Sequence, residues 1–175
     1  DYKVTGVQTC ALPISEFAAG QSGADDDMDS DTAILTDGNY VTVYEEVDAG
    51  VTGVEFKINT SAGGFVANVN ISTGTNVDPV VASLTNGNWV AVWTDADTGN
   101  GDVVFQVFTA NGGNVAGPIS AALGADFQNE PMVVALPDGG FVVAWDNDTD
   151  GTLEARAYTA ADRKSTRLNS SHLVI

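Results

Sequence analysis

Residues 78–95 read DPVVASLTNGNWVAVWTD, and this stretch decides the fold class. A short apolar run over residues 79–84 is followed by Asn86-Gly87, a dipeptide that strongly indicates a tight hairpin turn. Residues 89–93 are then apolar at every position, with tryptophan at both ends. A strand that is covered on both faces has this composition. The stretch therefore predicts a β-hairpin whose second strand is buried on both sides.

The same pattern occurs three times along the chain. DSDTAILTDGNYVTVYEE begins at Asp29, and EPMVVALPDGGFVVAWDN begins at Glu130. The turn glycines of the three copies are 49 and 52 residues apart, and the aromatic residues that close the second strands keep the same spacing. These residues are Gly38, Gly87 and Gly139 for the turns, and Tyr44, Trp93 and Trp145 for the closing positions. Self-similarity at a period of about fifty residues is typical of solenoids and propellers.

Two further strands complete each unit. Val103, Phe105 and Val107 alternate with other positions, which indicates a third strand with one buried face. A weaker fourth strand follows the Asn-Gly-Gly turn at residues 111–113 and includes Val115. The sequence therefore predicts an all-β protein of antiparallel four-stranded repeats of about fifty residues, arranged as a partial β-propeller. A β-solenoid or a row of β-sandwich domains is the alternative, although a sandwich domain usually needs about a hundred residues.

The two ends of the chain are encoded by one DNA sequence read on opposite strands. Residues 1–14 are DYKVTGVQTCALPI, and residues 162–175 are DRKSTRLNSSHLVI. One back-translation of the first string has a reverse complement that encodes the whole second string. We therefore expect residues 1–15 and 162–175 to be translated sequencing adapter, which is excluded from fold reasoning. The predicted units between them are the tail of a preceding repeat at 16–28, repeat 1 at 29–77, repeat 2 at 78–129 and a truncated repeat 3 at 130–161.

Residues 16–161 are strongly acidic. Lys57 and Arg156 are the only basic residues against 22 acidic ones, so the formal net charge of this segment is −20, compared with −18 for the whole chain. Such a surface repels phosphate backbones and anionic lipids. The segment also has no cysteine and no histidine, which removes disulfides, thiolate metal sites and the commonest general base. The composition therefore excludes nucleic-acid partners, argues against membrane insertion, and favours bound cations or a salty medium.

Repeats 2 and 3 share the pattern Pro-x-Val-x-x-Leu-x-x-Gly-x-x-Val-x-x-Trp. The matching residues are Pro79, Val81, Leu84, Gly87, Val90 and Trp93 in repeat 2, and Pro131, Val133, Leu136, Gly139, Val142 and Trp145 in repeat 3. Repeat 1 departs from the pattern, with Ser30 in place of proline and Tyr44 in place of tryptophan. With the acidic loop and the Asn-Gly-Gly turn that follow, the pattern resembles tandem β repeats of large secreted bacterial proteins of the RTX-type and adhesin-like calcium-binding kinds.

This resemblance implies a structural or adhesive module outside the cell or on the cell surface. Its partners would be neighbouring repeats of the same chain and a cell-surface or glycan ligand. The resemblance covers nearly all of residues 16–161, but the matching motifs are structural and imply no reaction. The glycine-rich nonapeptide that binds calcium in RTX proteins is absent from this sequence.

One loop has the ligand types and the spacing of a calcium site. After Trp145, three aspartates stand at alternate positions and are followed by a glycine and a glutamate. Calcium takes about six to eight oxygen ligands, and alternate acids around a glycine turn can converge on one ion. The predicted ligands are Asp146, Asp148, Asp150 and Glu154 in this loop, and Asp95, Asp97 and Asp102 in the equivalent loop of repeat 2. A solvated acidic turn is the alternative, and the acids at residues 45–48, which lack this alternation, are expected at the surface.

The sequence contains no pattern that identifies catalytic residues. It lacks a nucleophile elbow, a phosphate-binding loop and sialidase-type Asp boxes, and paired carboxylates are common in a chain this acidic. The recurring aromatic residues are expected in the core. We therefore expect a structural or adhesive module that is not an enzyme. The alternative is a piece of a β-propeller hydrolase of the glycosidase type whose catalytic residues lie outside this segment.

Overall fold

The computed structural model describes residues 26–48, 51–97, 99, 101–122 and 126–159. The two predicted adapter ends, and most of the predicted tail at 16–28, lie outside these residues. The described residues form strands and turns without a helix. The strands are β1 (Asp26–Ile34), β2 (Tyr40–Asp48), β3 (Val51–Asn59), β4 (Phe65–Ser72), β5 (Asn76–Ser83), β6 (Asn88–Asp95), β7 (Asp102–Thr109), β8 (Asn114–Ser120), β9 (Gln128–Ala135), β10 (Phe141–Asn147) and β11 (Thr152–Tyr158).

The strands form three antiparallel sheets. β1–β4 form the first sheet, β5–β8 the second and β9–β11 the third, and consecutive strands are neighbours in every sheet. The first hairpin of each sheet turns at the predicted glycine. The φ angles of Gly38, Gly87 and Gly139 are 86°, 89° and 87°, in the left-handed region that glycine adopts without strain. The predicted all-β class and the four-stranded antiparallel unit are therefore confirmed.

The sheets pack against each other through their apolar faces. Between the first and second sheets, the ring of Trp89 stacks on Phe108 with 4.3 Å between centroids and meets Phe56 edge-on at 4.9 Å. Between the second and third sheets, Phe105 contacts Phe141 and Tyr158 with centroid distances of 5.2 and 4.5 Å. Each interface is a separate hydrophobic cluster. Burial of these faces is the main stabilising contribution, because a single sheet leaves its apolar face in water.

Burial along the strands confirms one prediction and corrects another. Trp93 and Trp145 are each 2% exposed, and β6 is buried on both faces as its composition predicts. The prediction that the third strand has only one buried face is wrong for β7, whose interior positions are all buried. Gln106 belongs to the face that packs on the first sheet and is 6% exposed, although its polarity indicated a solvent-facing position. A sheet with neighbours on both sides buries its polar positions too.

The first strand of each sheet makes its most extensive contact outside the sheet with the first strand of a neighbouring sheet. Between successive sheets these contacts join β1 with β5 and β5 with β9. The sheets are thus arranged around an inner edge formed by β1, β5 and β9, as blades are arranged around the axis of a propeller. The guanidinium of Arg156 on β11 also donates a hydrogen bond to the Ala121 carbonyl of the second repeat, which ties the second and third sheets together. In the part of the chain that the structure describes, no helix is long and apolar enough to cross a membrane.

Candidate functional site at the inner edge

Each first strand carries one acidic residue in an unusual backbone conformation. Asp29, Asp78 and Glu130 have φ angles of 32°, 55° and 48°, and they are the only non-glycine residues with positive φ among those described. The strand pairing shifts register beside each of them. A bulge of this kind bends the strand and redirects a side chain. The three repeats therefore present one acid each at the inner edge.

Two of these acids meet a third carboxyl group between the first and second sheets. Asp29, Glu45 and Asp78 each have a carboxylate oxygen within 4.8 Å of the others. Asp29 is exposed, Asp78 is half-buried and Glu45 is only 4% exposed. Glu45 lies on β2 opposite Met28, and its Oε1 accepts a hydrogen bond of 2.8 Å from the backbone N–H of Asp78. We call Asp29, Glu45 and Asp78 the carboxylate cluster.

Burial and mutual repulsion change the proton affinity of this cluster. Burial raises the pKa of Glu45, the hydrogen bond from Asp78 opposes that rise, and the negative charges of Asp29 and Asp78 add to it. Burial also raises the pKa of Asp78, and the charge of Asp29 raises it further. Carboxyl groups held this close do not all ionise together without cost. Glu45 and Asp78 therefore keep their protons to a higher pH than isolated exposed carboxyl groups do.

The carboxylate cluster is specific to the first junction and is not a general feature of the repeat. Asp31 on β1 also accepts a hydrogen bond, of 2.9 Å, from the backbone N–H of Val81 on β5. At the second junction the positions of Asp31 and Glu45 are taken by Val80 and Thr94. A general interlocking device would recur at both junctions. The concentration of acids is therefore a local feature of the first junction.

The predicted calcium loop after Trp145 uses its acids for separate contacts within the protein. Glu154 accepts hydrogen bonds from the Trp145 indole N–H at 3.1 Å and from Asn147 at 3.4 Å. Asp148 accepts one from Asn129 at 3.0 Å, and Asp150 accepts two from Thr152 in a tight turn. Asp146 pairs with Leu153 in the β10–β11 ladder. The structure does not bring three of these acids together within 4.8 Å, and calcium binding here stays a prediction.

The equivalent loop of repeat 2 also anchors turns. Asp95 accepts a hydrogen bond of 3.1 Å from the backbone N–H of Asp97, and Asp97 accepts one of 2.6 Å from Thr75. Asp102 stands opposite Asp95 in the β6–β7 ladder. Burial raises the pKa of Asp102, and the charge of Asp95 adds to the rise. These acids are not gathered into a three-carboxylate group, so calcium at this loop likewise stays a prediction.

Sequence reasoning missed the carboxylate cluster and misplaced part of it. The acids at residues 45–48 are expected at the surface from the sequence, and this is wrong for Glu45 and Glu46, which are 4% and 7% exposed. The side chain of Asp48 lies outside the part of the chain that the structure describes. One signal could have found the site. An acid stands at the first position of all three repeated segments, before an apolar strand, at 29, 78 and 130. A charged residue that recurs beside core positions indicates a fixed place in the fold.

The sequence matches no family model and no curated protein. The fold is similar to that of an endo-arabinase from Bacteroides thetaiotaomicron VPI-5482, with a TM-score of 0.52 and 14% identity over 85% of this chain. The chain spans 60% of the length of that enzyme. An endo-1,4-beta-xylanase from the same organism matches 87% of this chain and 58% of its own at 9% identity, and its TM-score of 0.47 is too low to establish a shared fold by itself.

The likeness to the endo-arabinase contradicts the expectation that this chain is a non-enzymatic module. At 14% identity the likeness shows the fold alone, and that fold is one on which an enzyme is built. Neither of these two structures is named as an RTX-type or adhesin-like repeat protein, so the resemblance to such repeats and the adhesive role it implies stay predictions.

Proposed function

We propose that the chain is part of a β-propeller glycoside hydrolase in which the carboxylate cluster supplies the acid–base chemistry. The observation that carries this proposal is the meeting of Asp29, Glu45 and Asp78 at the inner edge of sheets whose fold is similar to that of an endo-arabinase. Sugar-cleaving enzymes mostly use a pair of carboxyl groups, one protonated and one ionised, on either side of the scissile bond. The cluster contains the residue types that this reaction needs.

The burial of the three groups assigns them different roles. Asp78 is half-buried and its pKa is raised by burial and by Asp29, so it is suited to protonate the leaving oxygen as a general acid. Asp29 is exposed and can reach a substrate at the inner edge, which suits a partner carboxylate. Glu45 is almost fully buried and bonds the backbone of Asp78. We assign Glu45 as a positioning residue that fixes the bulge carrying Asp78.

We also propose that the protein acts outside the cell on a glycan ligand. The net charge of −18 supports this location, because an acidic surface suits a cation-containing medium and repels anionic membranes and nucleic acids. The absence of cysteine from residues 16–161 means that folding in an oxidising compartment carries no risk of wrong disulfides. Such a surface does not repel a neutral polysaccharide.

The test is the release of reducing sugar from linear arabinan and from xylan. It is made on this chain and on the longest natural protein that contains it, because the chain spans 60% of the endo-arabinase it resembles. Asp78→Asn and Asp29→Asn are each expected to lower kcat by about 100-fold to 10,000-fold, the usual contribution of a general acid or base. Asp37→Asn, at an exposed turn, removes a charge of the same kind and is expected to leave activity unchanged.

A positioning role for Glu45 has its own readout. Glu45→Gln keeps an acceptor oxygen for the Asp78 N–H and should keep kcat near its original value, whereas Glu45→Ala removes that acceptor and should lower kcat. A merely structural glutamate would lower the free energy of unfolding in Glu45→Ala without lowering kcat of the folded protein. Full activity in both Asp78→Asn and Asp29→Asn, or no hydrolysis of either polysaccharide by the longer natural protein, would refute the proposed function.

A further inference from the structure

The third sheet has two apolar faces, of which only one is covered. On the face toward the second sheet, Phe141, Val143 and Trp145 are 4%, 0% and 2% exposed. On the opposite face, Val134 and Leu153 are 64% and 58% exposed. The other members of that face are Met132, which is 51% exposed, the apolar residues Val142, Ala144, Ala155 and Ala157, and the half-buried Asp146, which pairs with Leu153. We call this set the outer face of the third sheet.

The matching face of the second sheet is buried. The strand register aligns Leu153 of β11 with Val103 of β7, because they pair with Asp146 and Thr94, which occupy equivalent positions. Val103 is 0% exposed in the cluster that joins the second sheet to the third. The residues equivalent to the outer face in this cluster are Val80, Ala82, Val90, Val92, Val103, Phe105 and Val107. The position of Val103 in the second sheet is thus fully buried, whereas the equivalent position of Leu153 in the third sheet is more than half exposed.

The first sheet follows the same rule. Its residues at these positions, Val41, Val43, Val54, Phe56 and Ile58, are all 0% exposed beneath the second sheet. Every sheet that is followed by another sheet therefore buries this face, and the third sheet alone leaves it open among the described residues. A contiguous exposed apolar face of this kind marks an interaction site.

We propose that the outer face of the third sheet binds a further β-sheet unit of the repeat 2 and repeat 3 type. The two existing interfaces define what this unit must present. The sheet that covers Val41 and Phe56 brings Trp89 and Phe108, and the sheet that covers Val90 and Phe105 brings Phe141 and Tyr158. The occupant therefore carries an aromatic residue on its second strand and another near the end of its third.

A second copy of this chain does not fit the outer face of the third sheet, as a comparison of the residues at equivalent positions shows. In a head-to-tail contact, the second copy would offer the free face of its first sheet. Where the second sheet has Ala91, Trp93 and Val104 on that face, the first sheet has Thr42, Tyr44 and Glu55. These three are 4%, 1% and 5% exposed, and the Tyr44 hydroxyl bonds Glu55 and Asn68. A polar face that is already buried does not match an open apolar one.

The experiment extends the full chain by one unit. A second copy of residues 110–159 is inserted after Thr159, which occupies the same place in repeat 3 as Thr109 does in repeat 2. The insertion supplies the third sheet with a copy of β8 as a fourth strand, and it supplies a new sheet that copies β9–β11. Hydrogen exchange should show protected amides in the copied strands. Binding of the hydrophobic dye ANS per molecule should not exceed that of the original chain, although an apolar unit has been added.

Leu153→Asp in the original copy of repeat 3 tests the contact itself. In the unextended chain this substitution should change the urea midpoint little, because Leu153 is 58% exposed. In the extended chain it should lower the protection of the copied strands by at least about tenfold, since the carboxylate would be buried without a partner. Val134→Ser serves as a milder second variant. Phe65→Asp, at a residue on β4 that is 66% exposed, is the matched control and should have the same effect in both chains.

Three results would overturn the proposal. The first is a copied unit that exchanges its amides as an unfolded chain does. The second is an equal effect of Leu153→Asp and Val134→Ser in the two chains. The third is a dimer of the unextended chain that Leu153→Asp dissociates in sedimentation, which would assign the outer face to a second copy. The proposal does not depend on glycoside hydrolysis, so each can fail without the other.

Discussion

Truncation of Trp89 to alanine is expected to destabilise the protein by about 3–5 kcal/mol. The side chain is fully buried between the first and second sheets, where it stacks on Phe108 at 4.3 Å and meets Phe56 edge-on at 4.9 Å. Trp89→Ala removes both ring contacts, each worth about 0.5–1.5 kcal/mol beyond the buried area, and leaves a cavity that rigid strands cannot close.

Phenylalanine at the same position should be tolerated far better. The indole N–H of Trp89 is buried and has no hydrogen-bond partner, and an unpaired buried donor costs about 1–3 kcal/mol. Trp89→Phe removes that donor while it keeps a six-membered ring for the stack. Repeat 3 has Phe141 at the equivalent position and buries it to 4% exposure. We therefore expect the lost volume and the relieved donor to offset each other, so that the net change stays within about 1.5 kcal/mol.

The assay is urea unfolding followed by far-ultraviolet circular dichroism, because tryptophan fluorescence changes with the substitution itself. The slope of the free energy against urea should be the same in the three proteins if only the native packing changes. Equal losses for Trp89→Ala and Trp89→Phe would refute the reasoning about the unpaired donor. A loss below about 1 kcal/mol for Trp89→Ala would show that the first junction is not the packed core described above.

Three further predictions concern protonation, backbone strain and calcium. The pKa of Glu45 is raised in the folded protein, so this group stabilises the fold below the ordinary carboxyl pKa and that contribution is lost as the pH rises through the folded pKa. Glu45→Gln should therefore raise the free energy of unfolding at pH 7 and give no gain at pH 3, measured in urea. Gly112→Ala should cost more than Gly38→Ala in thermal melts. Both glycines have positive φ, but an added Cβ would lie 2.9 Å from the Phe56 ring at Gly112 and would meet nothing at Gly38. Calcium at millimolar concentration should raise the melting temperature and give a heat of binding in calorimetry, and Asp148→Ala should abolish both effects.

Each of these predictions has a contradicting result. For Glu45, it is a gain in stability that is the same at both pH values, which would locate the effect in packing rather than in charge. For the two glycines, equal losses would mean that the turn of repeat 2 moves freely away from the first sheet. For calcium, an equal shift of the melting temperature by sodium at the same ionic strength would show general screening instead of a bound ion.

The strands were predictable because their side chains carry the information locally. An Asn-Gly or Asp-Gly turn between apolar runs specifies a hairpin whatever surrounds it, and β6 and β10 include the predicted residues 89–93 and 141–145. The repetition of the pattern then identified the core, since Trp93 and Trp145 recur at one position and are both buried. The same pattern in residues 141–145 predicts burial on both faces, and this prediction is wrong for β10, because one of its faces is only partly buried. The exposure of its outer face depends on what packs there, which the composition of the strand does not contain.

The carboxylate cluster was not predictable from local pattern. It requires that the first strands converge, that each of them bulges at the acid, and that β2 of one sheet reaches β5 of the next. All three conditions depend on tertiary packing, and Glu45 and Asp78 are 33 residues apart along the chain. The calcium prediction relied instead on spacing within one loop. In the structure those acids accept hydrogen bonds from nearby N–H groups of the backbone and of side chains, as carboxylates in tight turns commonly do.

The order of the strands has a consequence for synthesis on the ribosome. Every sheet is made of consecutive strands, so each can pair fully as soon as its own residues have emerged. The apolar face of the first sheet nevertheless stays exposed to water until Trp89 and Phe108 have been synthesised, about one repeat later. At a translation rate of about 5–20 residues per second, that interval is about 3–10 seconds. Dense negative charge on the emerging chain would keep such half-docked intermediates apart from one another until the next sheet arrives.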